Sequence, residues 1–554
     1  MVRLQDTRLS YILSYICTIV PHFLISSANA LPPHSTPLIS PELVCSFTPF
    51  PKFCISELKP KGLANIYDHA RHAVHHSYSA TRNFHATIRN YLNTPDTLSH
   101  NTIYALQDCL FLSRLNEDFL EKTDKMINST NALQSMEVED VQTYLSATIT
   151  NHETCSDGLK DNADKDSNIR NVVRSAVVDG SRSHSVSLAL FLHGWGKNVK
   201  HTTLGRFLTE EQDKLVTKGN RTTPQTTYKE KVIRERVVVN PNGSADFTAI
   251  SDAVGAAPNN TVAGDGYFLI CVVGGVYEEY VTIGSNKRYI MMVGDGINQT
   301  IITGNRNVAD GWTTFNSATF VVTGQGFVGI NMTIRNTAGA VKHQAVAVRN
   351  GADLSTFYKC SFEGYQDTLY THSLRQYYRE CDIYGTIDFI FGNAAVVLQN
   401  CNLYPRLPLS NQFNAVTAQG RTDINQNTGT CIHNCNIVPS LDLSASLSGN
   451  GTTQTYLGRP WKEYSRTVYV QSYMDGIINK GGWIAWSGDF ALNSVYYAEY
   501  DNRGSGSVTT ERVTWQGYHP VISATDASNF TVSNFIQGNQ RLNNTCVPYT
   551  PGLL

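Results

Sequence analysis

Charge is scarce in this 554-residue chain: Asp, Glu, Lys and Arg make up 16% of it, and the formal net charge is −2. So balanced a chain lacks the basic excess that nucleic-acid binding requires, and no nucleic-acid partner is expected. Long apolar runs are missing once the first thirty residues are passed, so no membrane span is expected in the mature chain. Those thirty residues carry Arg3 and Arg8, an apolar stretch interrupted by Pro21 and His22, and then Ala28-Asn29-Ala30. That is the layout of a secretory signal cleaved after a small-x-small site, and residues 1–30 are read as one. Cysteine spacings that match a common zinc pattern are missing as well, and no metal or other cofactor is expected.

Cysteine itself is present. Cys17 leaves with the signal, and Cys45, Cys54, Cys109 and Cys155 precede a later set of Cys271, Cys360, Cys381, Cys401, Cys431, Cys435 and Cys546. Secretion makes disulfides the first reading of these residues, and eleven of them leave at least one thiol outside any intramolecular pair. Cys45 and Cys54 are close enough to clip an N-terminal hairpin, and Cys109 with Cys155 could staple two long helices. Glycosylation sequons at Asn128, Asn220, Asn242, Asn298, Asn331 and Asn450 agree with passage through the secretory pathway.

Two periodicities divide the chain. Over residues 31–190 apolar residues fall at helical spacing, with Leu112, Leu115, Phe119 and Met126 on one face of "LQDCLFLSRLNEDFLEKTDKMI". Short connections between such segments predict an antiparallel helical bundle. Residues 191–235 are polar, basic and without a sustained period, which reads as a linker. From 236 to 554 the chain turns into short β-branched runs punctuated by Gly and Asn. There the phrase "YKCSFEGY", "RECDIYG", "QNCNLYP" returns, placing Cys360, Cys381 and Cys401 at steps of 21 and 20 residues. Short strands repeating at that interval predict an all-β parallel β-helix, one coil per repeat.

The same step locates a chemistry. "TIDFIFGN" sets Asp388 in an otherwise apolar run, and Asp367 of "GYQDTLY" lies 21 residues earlier. Residues one period apart sit on adjacent coils about 4.8 Å apart, so the two acids are expected to be stacked. Two carboxyls that close cannot both ionise freely: one stays protonated as a general acid, the other anionic as a nucleophile or base. Gln366 and Gln344 offer amide donors for a developing oxyanion. Arg459 and Trp461 flank Pro460 in "YLGRPWKEY", where the arginine can grip a carboxylate and the indole can stack on a sugar. The residue types alone leave open an esterase, a glycoside hydrolase or lyase on the same fold, and a binding protein with an inert β-helix.

"GGVYEEYV", "HQAVAVRN", "GYQDTLY", "GTIDFIFGNA" and "YLGRPWKEYSRTV", in this order, resemble the signature blocks of plant pectin methylesterases over about residues 236–550. "CSFTPFPKFC", Cys109 and "YLSATITNHETCSDGL" resemble the pectin methylesterase inhibitor domain over about residues 40–190. The resemblance implies a right-handed parallel β-helix preceded by a four-helix-bundle inhibitor-like domain. It also implies hydrolysis of the methyl esters of homogalacturonan in the plant cell wall, releasing methanol without a metal. Carried over by motif, Asp388 is the nucleophile, Asp367 the general acid and base, and Gln366 with Gln344 the oxyanion stabiliser. Arg459 holds Asp388, Trp461 packs on the galacturonate ring, and Thr314 touches substrate. A Cys381–Cys401 disulfide is implied too. Relatives carry a basic pair followed by leucines where a protease releases the inhibitor-like domain; here "LGRFL" has Arg206 alone. Retention of that domain would make it an intramolecular partner of the catalytic part.

Overall fold

The computed structural model describes residues 36–93, 98–162, 168–196, 233–449 and 451–554. The signal segment, most of the linker and Arg206 lie outside the described residues.

The helical part starts with two short helices, α1 (Pro41–Cys45) and α2 (Pro51–Leu58), clipped by a Cys45–Cys54 disulfide. Four long helices follow: α3 (Ile66–Leu92), α4 (His100–Asn128), α5 (Ser135–Asn162) and α6 (Asn168–Gly194). Their starts are set by local chemistry. Asn65 accepts the amide of Asp68 at the head of α3, and Ser99 accepts that of Thr102 at the head of α4. Val74, Leu120, Leu145 and Leu188, one from each helix, are buried in a shared core, and Cys109–Cys155 staples α4 to α5.

From Ile233 the chain winds through parallel strands into three sheets of eleven, seven and eight strands, with the short helix α7 (Ile250–Ala256) near its start. The seven-stranded sheet positions the site. Its strands are β1 (Val281–Ile283), β2 (Phe320–Val322), β3 (Val348–Asn350), β4 (Leu369–Thr371), β5 (Ile390–Gly392), β6 (Asn414–Gln419) and β7 (Thr455–Gly458). Each pairs in parallel with the next along the chain. The five inner strands, β2 to β6, are buried throughout because they are covered on both faces, as parallel sheets demand, while Thr282 of the edge strand β1 is exposed. Inside the coil, side chains at equivalent positions stack: Phe357 lies flat on Tyr378, centroids 5.3 Å apart at 3°.

Cys360, Cys381, Cys401 and Cys435 form another such stack, fully buried. Each follows a left-handed corner residue: Lys359, Glu380, Asn400 and Asn434, at φ 52°, 51°, 56° and 51°. The expected Cys381–Cys401 disulfide is not formed, and both thiols are free. Neighbours in a parallel ladder point their Cα–Cβ bonds the same way, so their Cβ atoms stay near the strand spacing of about 4.8 Å, beyond the usual disulfide range. Instead the Cys381 amide donates to Sγ of Cys401, and the Cys401 amide to Sγ of Cys435, each at 3.4 Å.

The helical bundle packs directly on this β-helix. Leu112 joins Phe315, Tyr370 and Phe391 in one apolar cluster, and Leu115 and Phe119 join Leu374 in another. The apolar stripe predicted for α4 therefore covers the β-helix as much as the bundle interior, where Met126 packs. Arg375 ties the parts together, bonding Asp353 at 2.6 Å and Asp140 of α5 at 2.7 Å. Buried charges are tolerated when paired in this way.

Candidate active site

Asp367 and Asp388 occupy equivalent turns, two residues ahead of β4 and β5. Leu369 pairs with Ile390 in register, and the Asp367 amide donates to the carbonyl of Ile387 at 3.1 Å. The acids are therefore one coil apart. Both adopt left-handed backbone, φ 64° and 53°. The short polar side chain of Asp tolerates that conformation better than most. The corner residues ahead of the cysteine stack adopt it too, so the conformation belongs to the coil and the chemistry to the side chain placed there. Asp388 thus sits on a corner, ahead of the strand its sequence context suggested.

Arg459 follows β7 and is anchored by its amide to the Thr417 carbonyl at 3.0 Å. Its guanidinium grips Asp388 with both prongs, Nε to Oδ1 at 2.8 Å and Nη2 to Oδ2 at 2.7 Å. Trp486 and Phe413 flank the cation, 4.2 and 5.4 Å from it. Both acids are buried, but the pair is unequal. Burial raises the Asp367 carboxyl well above the carboxylate range, the charge of Asp388 raises it further, and Arg459 opposes. Burial also raises Asp388, but there the bonds and charge of Arg459 oppose it directly. The arrangement favours a protonated Asp367 beside an ionised Asp388.

A cavity of about 290 Å³ brings together Thr314, Gln344, Gln366, Asp367, Asp388, Arg459 and Trp461, every site residue expected from the sequence. Backbone bonds hold the two glutamines in place, the Gln366 carbonyl accepting from Ala345 at 3.2 Å and the Gln344 carbonyl from Val308 at 3.0 Å. Phe315, Tyr370, Phe391 and Trp486 add aromatic walls that single motifs did not reveal. Tyr370 and Phe391, on adjacent strands, stack at 4.1 Å. Gly420 lets Trp461 lie close, since a Cβ there would come within 2.8 Å of the indole.

The bundle supplies the facing wall: Asp108 of α4, with Thr154, Asp157, Gly158, Asp161 and Asn162 of α5. Asp157 pairs with Lys462, next to Trp461, at 2.7 Å. Asp108 is buried and accepts from Thr313 at 2.6 Å and also from Asn316. Its carboxyl is pushed up to about 7 by burial, with the Thr313 bond and the Arg349 charge opposing. Thr154 Oγ1 lies 3.0 Å from Nε2 of His372, and Asn393 donates to Thr150 at 2.8 Å. Sequence reasoning missed Asp108, Asp157 and Lys462. Only the adjacency of Lys462 to Trp461 offered a signal, because the polar face of a helix does not declare what it will meet.

Comparison with known proteins agrees with this geometry. The pectinesterase family model matches residues 236–539, and the plant invertase/pectin methylesterase inhibitor model matches residues 40–190. A probable pectinesterase/pectinesterase inhibitor of Arabidopsis thaliana, number 20, is 52% identical over 536 residues, covering 93% of this chain and 94% of its own. Pectinesterase 2 of Citrus sinensis is 47% identical over 429 residues, covering 77% and 79%. Among solved structures, the pectin methylesterase from carrot is 49% identical with a TM-score of 0.55, covering 60% of this chain and 100% of that one. Two stacked acids, an arginine clamp and a helical domain on the cleft thus accompany a match along nearly the whole length, and the chain belongs to the pectinesterase family, with an inhibitor-like domain ahead of its catalytic part.

Proposed function

We propose that the esterase chemistry of this family runs here through Asp388 and Asp367, and that the inhibitor-like domain holds it in check. The chain is a carboxylic ester hydrolase that removes methyl groups from pectin. In the proposed route a carboxylate oxygen of Asp388 attacks the ester carbonyl carbon, and Gln366 with Gln344 stabilises the oxyanion. As the tetrahedral state collapses, the bond to methoxide breaks and Asp367 gives up its proton, so methanol leaves and an anhydride joins the galacturonyl group to Asp388. Asp367, now a carboxylate, takes a proton from water, whose oxygen attacks the galacturonyl carbon. The anhydride opens to the galacturonic acid, which ionises by releasing its proton to solvent, and to the Asp388 carboxylate, and Asp367 ends protonated. Arg459 keeps the attacking group anionic, while Thr314 and Trp461 seat the sugar.

One observation carries this reading: the bidentate grip on Asp388 beside an Asp367 that has no such partner in the cavity. Homogalacturonan places the site of action in the plant cell wall, in keeping with the secretory signal read at residues 1–30. With α4 and α5 forming one wall of the cavity, the intact chain is read as latent, and loss of the helical domain as activation.

Methanol release from highly esterified pectin tests the route, using protein severed between residues 196 and 233, with Asp388→Asn and Gln366→Ala alongside. Wild type should release methanol without creating new reducing ends. Asp388→Asn should release almost none, and Gln366→Ala should be slower by about 10²- to 10³-fold. A folded, severed wild type that releases no methanol would overturn the reading.

A further inference from the structure

Asp140, near the start of α5, is seated between two arginines on the β-helical side. Nη2 of Arg541 donates to its Oδ1 at 2.6 Å, and Nη2 of Arg375 reaches the same oxygen at 2.7 Å. Arg375 begins the strand Arg375–Arg379, and Arg541 ends the short helix Gly538–Arg541. The seat lies about 25 Å along α5 from Asp157, which faces the catalytic cavity. None of its three residues lines that cavity.

The two arginines are held unequally. Arg375 is fully engaged: Nε and Nη2 donate to the two oxygens of Asp353 at 3.0 and 2.6 Å, and Nη1 donates to Gln537 at 3.2 Å. Among the described residues Arg541 meets a carboxylate through Nη2 alone, and its Nε is buried without a hydrogen-bond partner. A guanidinium takes a carboxylate best with two parallel prongs, as Arg459 takes Asp388 through Nε and Nη2. Asp140, fixed to its helix and shared with Arg375, leaves the second prong of Arg541 unused. It is also the most exposed of the three side chains. When the helical domain leaves, Asp140 goes with it, and so do Leu115, Phe119 and Tyr144, which pack in one cluster with Leu374 beside Arg375. The two guanidiniums are then matched by the Asp353 carboxylate, next to an uncovered apolar side chain.

We infer that Arg541, with Arg375 behind it, is a binding site for a carboxylate of demethylated galacturonan, held shut by Asp140 until the helical domain lifts. The inference rests on the esterase reading, which makes that polymer the product, and adds to it a release driven by product. A uronate carboxylate takes Nε and Nη2 of Arg541 together, and Leu374 meets the C–H face of the sugar ring. A methyl ester carries no charge, so the unprocessed polymer is a poor match for the pair. A ligand that binds only the released form raises the release constant by one plus the ratio of its concentration to its Kd. The first esters cut thereby favour the freeing of further chains.

The test follows domain release by sedimentation in protein severed between residues 196 and 233 and carrying Asp388→Asn, so that no ester is consumed. Oligogalacturonates of one length, either demethylated or fully methyl-esterified, are titrated at constant ionic strength. Both compete with the helical domain for the cleft, and the demethylated one has the second site as well. At ten times its Kd for that site it should raise release by about a further tenfold. Arg541→Gln should remove this increment and leave the effect of the esterified oligomer unchanged. Without any variant, phenylglyoxal labelling mapped by mass spectrometry should find Arg541 shielded in the intact chain and reactive once the severed domains are separated. The demethylated oligomer should shield it again, and the esterified one should not. An increment that survives Arg541→Gln, or labelling that ignores the demethylated oligomer, overturns the inference. Methanol release by severed wild type tests the esterase separately: release with an indifferent Arg541 sinks only this site, and shielding of Arg541 without release sinks only the esterase.

Discussion

Asp157 of the helical domain holds Lys462 of the β-helix at 2.7 Å, one residue beyond Trp461 in the wall of the catalytic cavity. An acid of the chain itself thus occupies a cation beside the indole on which the sugar is proposed to lie.

Breaking that pair should loosen the cover. In the intact chain, Asp157→Ala should raise methanol release several-fold over the unsevered wild type, toward the rate of severed protein. Both partners are partly exposed, so the pair supplies no more than a share of the docking energy. Equal rates for intact wild type and variant, with active severed protein, would remove this contact from the account of latency.

Docking should weaken as pH rises through the window set by Asp108. Its carboxyl stands near 7 when buried against Thr313, Asn316 and Arg349, against 3.8 for an ordinary aspartate. The docked form therefore binds the proton more tightly, and its contribution is full below about 4 and lost as pH rises through 7. Buried histidines run the other way. His372, against Thr154, is lowered to about 3, so its contribution to docking is present above 6.5 and lost as pH falls. His152, lowered to about 4, is buried against Val177 and Phe84 within the bundle and acts on the bundle's own stability. Asp108→Asn isolates the first effect: the dependence of domain release on pH between 4 and 7, followed by sedimentation of severed protein, should flatten. An unchanged profile would show that Asp108 does not titrate on release.

Arg459→Gln should move the acid limb of the pH–rate profile upward. The guanidinium opposes the burial that raises Asp388. Without it the proposed nucleophile stays protonated to higher pH, so severed variant should need more alkaline conditions for its residual activity, with kcat down about 10²-fold or more. A lower rate with an unshifted limb would leave Arg459 a positioning role alone.

Alkylation before reduction, followed by peptide mass mapping of the denatured chain, should label Cys381 and Cys401 and spare Cys45, Cys54, Cys109 and Cys155. Replacing Cys109 and Cys155 together by Ser should lower the stability of the bundle by about 2–4 kcal/mol. A Cys381–Cys401 cross-linked peptide would contradict the parallel stacking of these thiols.

The pairing of the two acids was legible from residue numbers. A step of 21 between Asp367 and Asp388 becomes a spatial neighbour relation because a parallel coil keeps register with itself, as the pairing of Leu369 with Ile390 shows. The aromatic walls were less visible: Tyr370 and Phe391 obey the same step, but buried aromatics are ordinary in strands. Periodicity in α4 identified Leu112, Leu115 and Phe119 as buried without saying that Phe315 and Leu374 would cover them.

What the sequence by itself determined is the coil, its period and the stacking of Asp367 on Asp388, since local patterning and repeat length act along one chain direction, while Gln344, Gln366 and Arg459 were reached through the resemblance of their motifs. The meeting of Asp108 and Asp157 with the cleft, the left-handed corner under Asp388, and the unpaired state of Cys381 and Cys401 were decided only in three dimensions. They depend on how one surface fits another and on where Cβ atoms point, and no spacing along the chain encodes either.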